Sequence, residues 1–162
     1  MTSENTSHFC MAIMPPERSD AELEASGLGG TRGALLNEYG WDHGSTITVS
    51  FLEGSDDLQR RVREAAEAWL YDSERQEPLA NVKLSFLKNG GGDIRIAFMQ
   101  GDGSWSYIGT YCRQIPDGQP TMNFGWLTPD SSDEDVQSVV LHEFGHALGL
   151  IHEHQNPVHA IQ

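Results

Sequence analysis

His142, Glu143, His146, Gly149 and His152 stand within the stretch LHEFGHALGLIHEH, Leu141–His154. Four histidines and two glutamates share fourteen residues that are otherwise apolar or glycine. His142 and His146 are four apart, so on a helix they lie about one turn apart and roughly 40° from each other. Two imidazoles so placed can reach one metal ion. Glu143 is then close enough to touch a metal-bound water. His152 lies six residues past His146; a continuing helix would carry it about 9 Å further and some 240° around. Gly149 resolves this, because glycine tolerates positive φ and can end the helix, turning the chain back so that His152 closes the third corner. Three neutral histidines plus one water form the open, catalytic type of zinc site. Beside it, Glu143 is placed to act as general base and then general acid.

The elements that must carry this stretch are legible upstream. TPDSSDED opens its helix: Ser132 and Asp135 stand at capping-box spacing, and Val136, Val139 and Val140 continue the apolar stripe. An earlier helix is expected over SDDLQRRVREAAEAWLYD, with Ser55 as cap, Asp56 and Asp57 at the positive end of the dipole, and Leu58, Val62, Ala65, Trp69 and Leu70 on one face. STITVSFLEG alternates Ile47, Val49 and Phe51 against small polar residues, the pattern of a half-buried strand. NVKLSFL, IRIAFM and TMNFGWL read as further strands, with NGGGD as a turn. The segment GDGSWSYIGTYCRQIPDGQP reads as a long loop with a short edge strand near Arg113–Ile115. The order β-α-β-β-β-α predicts an α+β fold: a mixed twisted β-sheet with two packed helices, the second carrying the zinc motif.

The spacing HExxHxxGxxH, met here at His142, Glu143, His146, Gly149 and His152, is the metzincin signature. HEFGHALGLIHEHQNP resembles the astacin branch of the metzincins, in which glutamate follows the third histidine, as Glu153 does. GSWSYIG, residues 103–109, resembles the astacin segment CWSYVG, with Ser104 where astacins have cysteine. The resemblance covers residues 103–157, and the order of elements extends it back to about 45. It implies a zincin-like fold and a zinc-dependent endopeptidase. His142, His146 and His152 would hold one Zn2+ per chain and Glu143 would be catalytic. It implies a peptide or protein substrate added to the sheet's lower edge strand, here placed near Arg113–Ile115. It also implies an extracellular setting. Metzincins continue past the third histidine into a lower subdomain with a Met-turn. Met1, Met11, Met14, Met99 and Met122 all precede the motif. The expectation is a metzincin upper subdomain over 41–162, truncated before the Met-turn, with 1–40 as a flexible or pro-like arm. Weak or absent proteolysis is expected of such a chain. The alternative is a zinc-binding module or an inactive metzincin fragment.

Composition narrows the partners. The chain has 162 residues and a formal net charge of −14, which opposes binding to phosphate backbones and to anionic membranes. No apolar run approaches the length of a membrane span, and the N-terminus has no basic start or long apolar core of a secretory signal. Cys10 and Cys112 are the only cysteines, too few for a disulfide framework. A Cys10 thiolate could take the open zinc position and hold a proenzyme silent. Its neighbours lack the matrixin surroundings of such a cysteine, so a small core or tail residue is the reading taken. His8, His43 and His159 are expected at the surface, and His154 at the surface or packed beside the site. Trp69 is expected in the core. Oligomeric state and peptide specificity are not written in the sequence.

Overall fold

The structure, a computed structural model, describes residues 10–15, 38–72, 77–78 and 81–150. Six of its strands form one mixed sheet: β1 (Cys10–Ile13), β2 (Thr46–Phe51), β5 (Lys83–Phe86), β6 (Ile94–Ala97), β7 (Ser104–Tyr107) and β8 (Met122–Phe124), in the order β1-β7-β8-β6-β2-β5. β3 (Tyr71–Asp72) and β4 (Glu77–Pro78) form a separate short antiparallel pair. β8, β6, β2 and β5 run parallel to one another; β7 is antiparallel to β8, and β1 is parallel to β7. Helices α1 (Asp56–Glu67) and α2 (Asp133–Ala147) pack on each other, and α2 also packs on β7. The expected α+β architecture is what the chain adopts.

The helices form where their caps and apolar stripes place them. The Ser55 side chain accepts from the Leu58 N–H, and the Ser132 side chain from the Asp135 N–H at 3.1 Å. Each satisfies one of the donors that a helix start leaves unpaired. Leu58, Val62 and Ala66 of α1 face Val136, Val140 and Phe144 of α2 in one core with Ile47, Val49, Ile94, Ile96, Met122 and Phe124 from the sheet. Helix α1 ends at Glu67, so Trp69 and Leu70 lie in the turn beyond it rather than on its face. Trp69 still packs against the core.

The long loop is more ordered than its glycines suggest. Residues 104–107 form β7, and Gly109–Gln114 form a 3-10 helix. The edge strand expected near Arg113–Ile115 is therefore absent; β7 is the strand beside the zinc-motif helix. Its alternation is inverted in polarity: Ser104 and Ser106 are buried, while Trp105 and Tyr107 are partly exposed. Small side chains on the inner row let α2 approach the sheet closely. A second strand sits in the N-terminal region, where β1 pairs Cys10 with Ser104 and Ala12 with Ser106.

Arg95 shapes the loop from inside. It is 4% exposed, and its guanidinium donates to the carbonyls of Gln119, Gly92, Ile115 and Pro116. A buried cation is tolerable when its donors are all met by oriented carbonyl dipoles. The NGGGD turn is closed by Asp93, whose carboxylate accepts from the Thr48 N–H, the Thr48 hydroxyl and Arg113 Nε. Among the described residues, no helix is long and apolar enough to cross a membrane.

Candidate metal centre

Helix α2 carries His142 and His146 one turn apart, as their spacing predicts. Their rings meet edge to face with centroids 4.8 Å apart, and their Nε2 atoms lie 3.2 Å from each other. His146 Nδ1 lies 2.7 Å from the carbonyl oxygen of Leu150. A carbonyl only accepts, so Nδ1 carries the hydrogen, and in the neutral ring Nε2 is left as a bare lone pair. This is the usual outer contact of a metal-binding histidine, fixing tautomer and ring orientation together.

The Leu150 carbonyl is in place because the helix stops where Gly149 allows it. Gly149 has φ of 105°, in the region that favours glycine. The Gly149 N–H donates to His146 O and the Leu150 N–H to Gly145 O, both at 2.9 Å. These two bonds are those of a Schellman motif. The break expected at Gly149 is thus present. His152, Glu153, His154 and His159 lie outside the described residues, as does His8. His43 is exposed.

A third ligand-type atom approaches from the far end of the chain. Cys10 Sγ lies 3.5 Å from His146 Nε2, and one ligand atom from each of Cys10, His142 and His146 falls within 4.8 Å of the others. Parallel pairing with β7 brings it there, since Cys10 sits opposite Ser104 on the row that faces α2. The tail or core role expected for Cys10 is corrected by this placement. Its sequence surroundings gave no signal because the positioning comes from strand pairing rather than from a local motif. Cys112 is buried elsewhere, within the 3-10 helix.

Two of the cluster's three spacings fit a tetrahedral ion. Zinc–nitrogen bonds of about 2.05 Å at a tetrahedral angle would put two nitrogens about 3.3 Å apart, and a sulfur at about 2.3 Å from zinc would lie about 3.6 Å from each nitrogen. The observed 3.2 Å between the imidazole nitrogens and 3.5 Å from Cys10 Sγ to His146 Nε2 match these values, and the third pair, Cys10 and His142, lies within 4.8 Å. The donor set, imidazole and thiol, is also the one zinc prefers.

Glu143 is fully buried, and neither carboxylate oxygen has a partner at hydrogen-bonding geometry. Burial pushes its pKa up from 4.5 to about 7; the nearby Cys10 thiol lowers it slightly without satisfying an oxygen. Cys10 itself is pushed well above the ordinary thiol range, first by burial and then by Glu143. A cation at the cluster would reverse that for the thiol, since coordination favours the thiolate. An unsatisfied buried carboxyl beside a ligand cluster is costly for folding alone.

The matrixin sequence profile, peptidase family M10, matches residues 40–160, most of the chain and all of the histidine motif. The chain belongs to the matrixin family. Matrixins are metzincin zinc metalloendopeptidases, so the broader expectation holds, and the branch is matrixin rather than astacin. The astacin assignment leaned on Glu153 and on the segment around Ser104, two local matches outweighed by the match along 40–160. Two solved structures are similar. The one described as the crystal structure of myroilysin is 42% identical, with a TM-score of 0.63, covering 71% of this chain and 47% of that one. A second, described as the structure of myroilysin, is 41% identical, with a TM-score of 0.68, covering 76% and 56%. This matrixin chain thus spans about half the length of the myroilysin chains it matches. No curated protein sequence matches it.

Proposed function

We propose that this chain is a zinc endopeptidase domain held latent by its own N-terminal strand. His142, His146 and His152 hold one zinc ion, Glu143 is the acid–base group, and Cys10 fills the remaining position until β1 leaves. The observation that carries the reading is the convergence of ligand atoms from Cys10, His142 and His146 within 4.8 Å of one another, beside a buried glutamate whose oxygens have no hydrogen-bond partner.

Zinc, when bound, supplies a Lewis acid for the scissile carbonyl and lowers the pKa of its water. Glu143 accepts a proton from the attacking water and delivers it to the departing amine. Its raised pKa suits both steps near neutral pH. His146 keeps Nε2 aimed through its Nδ1 bond to Leu150. Strand β7 offers its outer edge to an extended peptide by main-chain hydrogen bonds, the edge that residues 10–13 now occupy. A peptide or protein is the substrate, and residues 1–40 serve as a pro-like segment over the domain at 41–162.

A second reading has one observation in its favour. With Cys10 in place the ligand set is closed, as in structural zinc sites, and the chain would then be a zinc-holding module without cleavage. One set of measurements tests both. The purified chain should carry close to one zinc, and His142→Ala should lose it. Cys10→Ser should release chelator-sensitive peptide hydrolysis. No zinc in the wild-type chain after zinc-replete expression would sink the zinc site. Zinc without any cleavage in Cys10→Ser would favour the module.

A further inference from the structure

Two tryptophans from separate parts of the chain reach the backbone of α2 on either side of the histidine pair. Trp69 Nε1 donates to the carbonyl of Leu141 at 2.7 Å, and Trp41 Nε1 to the carbonyl of Ala147 at 2.8 Å. Leu141 immediately precedes His142, and Ala147 immediately follows His146. We propose that Trp41 and Trp69 are positioning residues for the metal centre, gripping α2 at both ends of the ligand pair and fixing its rotation and tilt. The inference rests on the zinc reading of that centre.

The two grips differ in what they do to the helix. Ala147 is in the last turn, where carbonyls lack helical partners, so the Trp41 indole satisfies an otherwise open acceptor. The Leu141 carbonyl lies within the helix, so Trp69 adds a second donor to it. Leu141 and Ala147 are six residues apart, roughly 9 Å along the axis and 240° around it. Contacts at two heights and two azimuths resist both rolling and tipping. The ligand atoms are only 3.2 Å apart, and a metal site tolerates displacements of about 0.2 Å. A roll of 10–20° would spoil such a geometry.

Each indole is itself held. Gly145 lets Trp69 lie close against the helix: a Cβ there would stand 3.3 Å from Trp69 Cζ2. The Arg113 guanidinium lies over the Trp41 ring at 4.8 Å and bonds to Asp93 at 2.9 Å, which is tied to Thr48. The ring of Trp41 is thus anchored to β2 through a side-chain chain of three residues.

Cobalt titration of the full chain, with a competing chelator, tests this in wild type, Trp41→Phe, Trp69→Phe and the double variant. Phenylalanine keeps an aromatic ring and removes the donor. Each single change should weaken cobalt binding about tenfold, the lower end for groups that orient ligands. The cobalt d–d bands should change in position or intensity. Gly145→Ala, which crowds Trp69 from the helix side, should move affinity in the same direction and supplies the answer if Trp69→Phe does not fold. Unchanged affinity and spectra, with only the unfolding temperature of the metal-free chain reduced, would make both tryptophans mere packing and overturn the proposal. Wild-type chain that binds no cobalt would overturn the zinc reading and this inference together.

Discussion

Cys10 and His146 are 136 residues apart in sequence, and the thiol sulfur of one lies 3.5 Å from Nε2 of the other. Pairing of β1 on β7 brings them together. Four residues of strand thereby place a thiol beside the histidine pair.

Cys10→Ser should raise chelator-sensitive cleavage of an unstructured peptide by on the order of tenfold. A tethered thiol acts at an effective concentration of roughly millimolar, against which ordinary substrate concentrations compete poorly. With cobalt in the site, the wild-type chain should show a near-ultraviolet sulfur-to-metal band that Cys10→Ser lacks. An identical band in both would remove Cys10 from the ligand set.

Glu143→Gln should keep its metal, because the carboxylate is assigned no ligand role. Hydrolysis should fall by at least about a hundredfold, the scale of a lost acid–base group. The metal-free chain should be no less stable than wild type, since neither Glu143 oxygen has a hydrogen bond to lose. Zinc content, kcat/KM and an unfolding curve on the same preparation check all three. Loss of metal together with activity would assign Glu143 a different part.

Gly149→Val should destabilise the chain by about 1–3 kcal/mol, the usual cost of a branched residue held at positive φ. Among the described residues, no atom beyond its chain neighbours lies within 4 Å of where the new Cβ would be, so the cost there is backbone strain and not collision. Metal affinity should fall too, because the turn places the Leu150 carbonyl that orients His146. Gly149→Asn should cost less, since asparagine visits that region more readily. Equal stability and affinity for valine and glycine would show that the turn has another geometry in solution.

Asp93 predicts a pH dependence. Burial alone would raise its pKa. Hydrogen bonds from the Thr48 N–H, Arg113 and the Thr48 hydroxyl more than offset this and leave it lowered. A depressed folded-state pKa means stability that is fully present above the unfolded value and is lost as pH falls through the folded one. Asp93→Asn should therefore lower stability at neutral pH, by about 1–2 kcal/mol for a partly exposed charged hydrogen-bond group, and should flatten the acid limb below about pH 4. Urea unfolding at several pH values reads this directly. An unchanged acid limb would show that the contact contributes nothing.

Local signals were readable in the residues. The His142–His146 pair, the break at Gly149 and the caps Ser55 and Ser132 each rest on spacing within a few positions, where helix geometry dictates the outcome. Strand β7 was hidden because period-two reading searches for apolar residues on the inner row, and here that row is Ser104 and Ser106. The placement of Cys10 was hidden for a different reason. Strand pairing over long sequence separation leaves no local trace, and CMAI is too short to announce a strand. Trp69 read only as apolar mass and Trp41 carried no signal, because an indole donor's choice of a carbonyl is decided by tertiary packing.

Sheet edges carry rows of unpaired backbone donors and acceptors, and among the described residues this sheet ends at β5 and at β1, the strand that pairs with β7. Departure of β1 would exchange that edge for β7, which could then pair with the β5 or β7 of another molecule as well as with a substrate. The uncovered domain should therefore self-associate through β7, where the intact chain offers β1. At a formal charge of −14, mutual repulsion between copies would oppose that, and added salt should screen it. Light scattering of the uncovered domain should therefore rise with ionic strength.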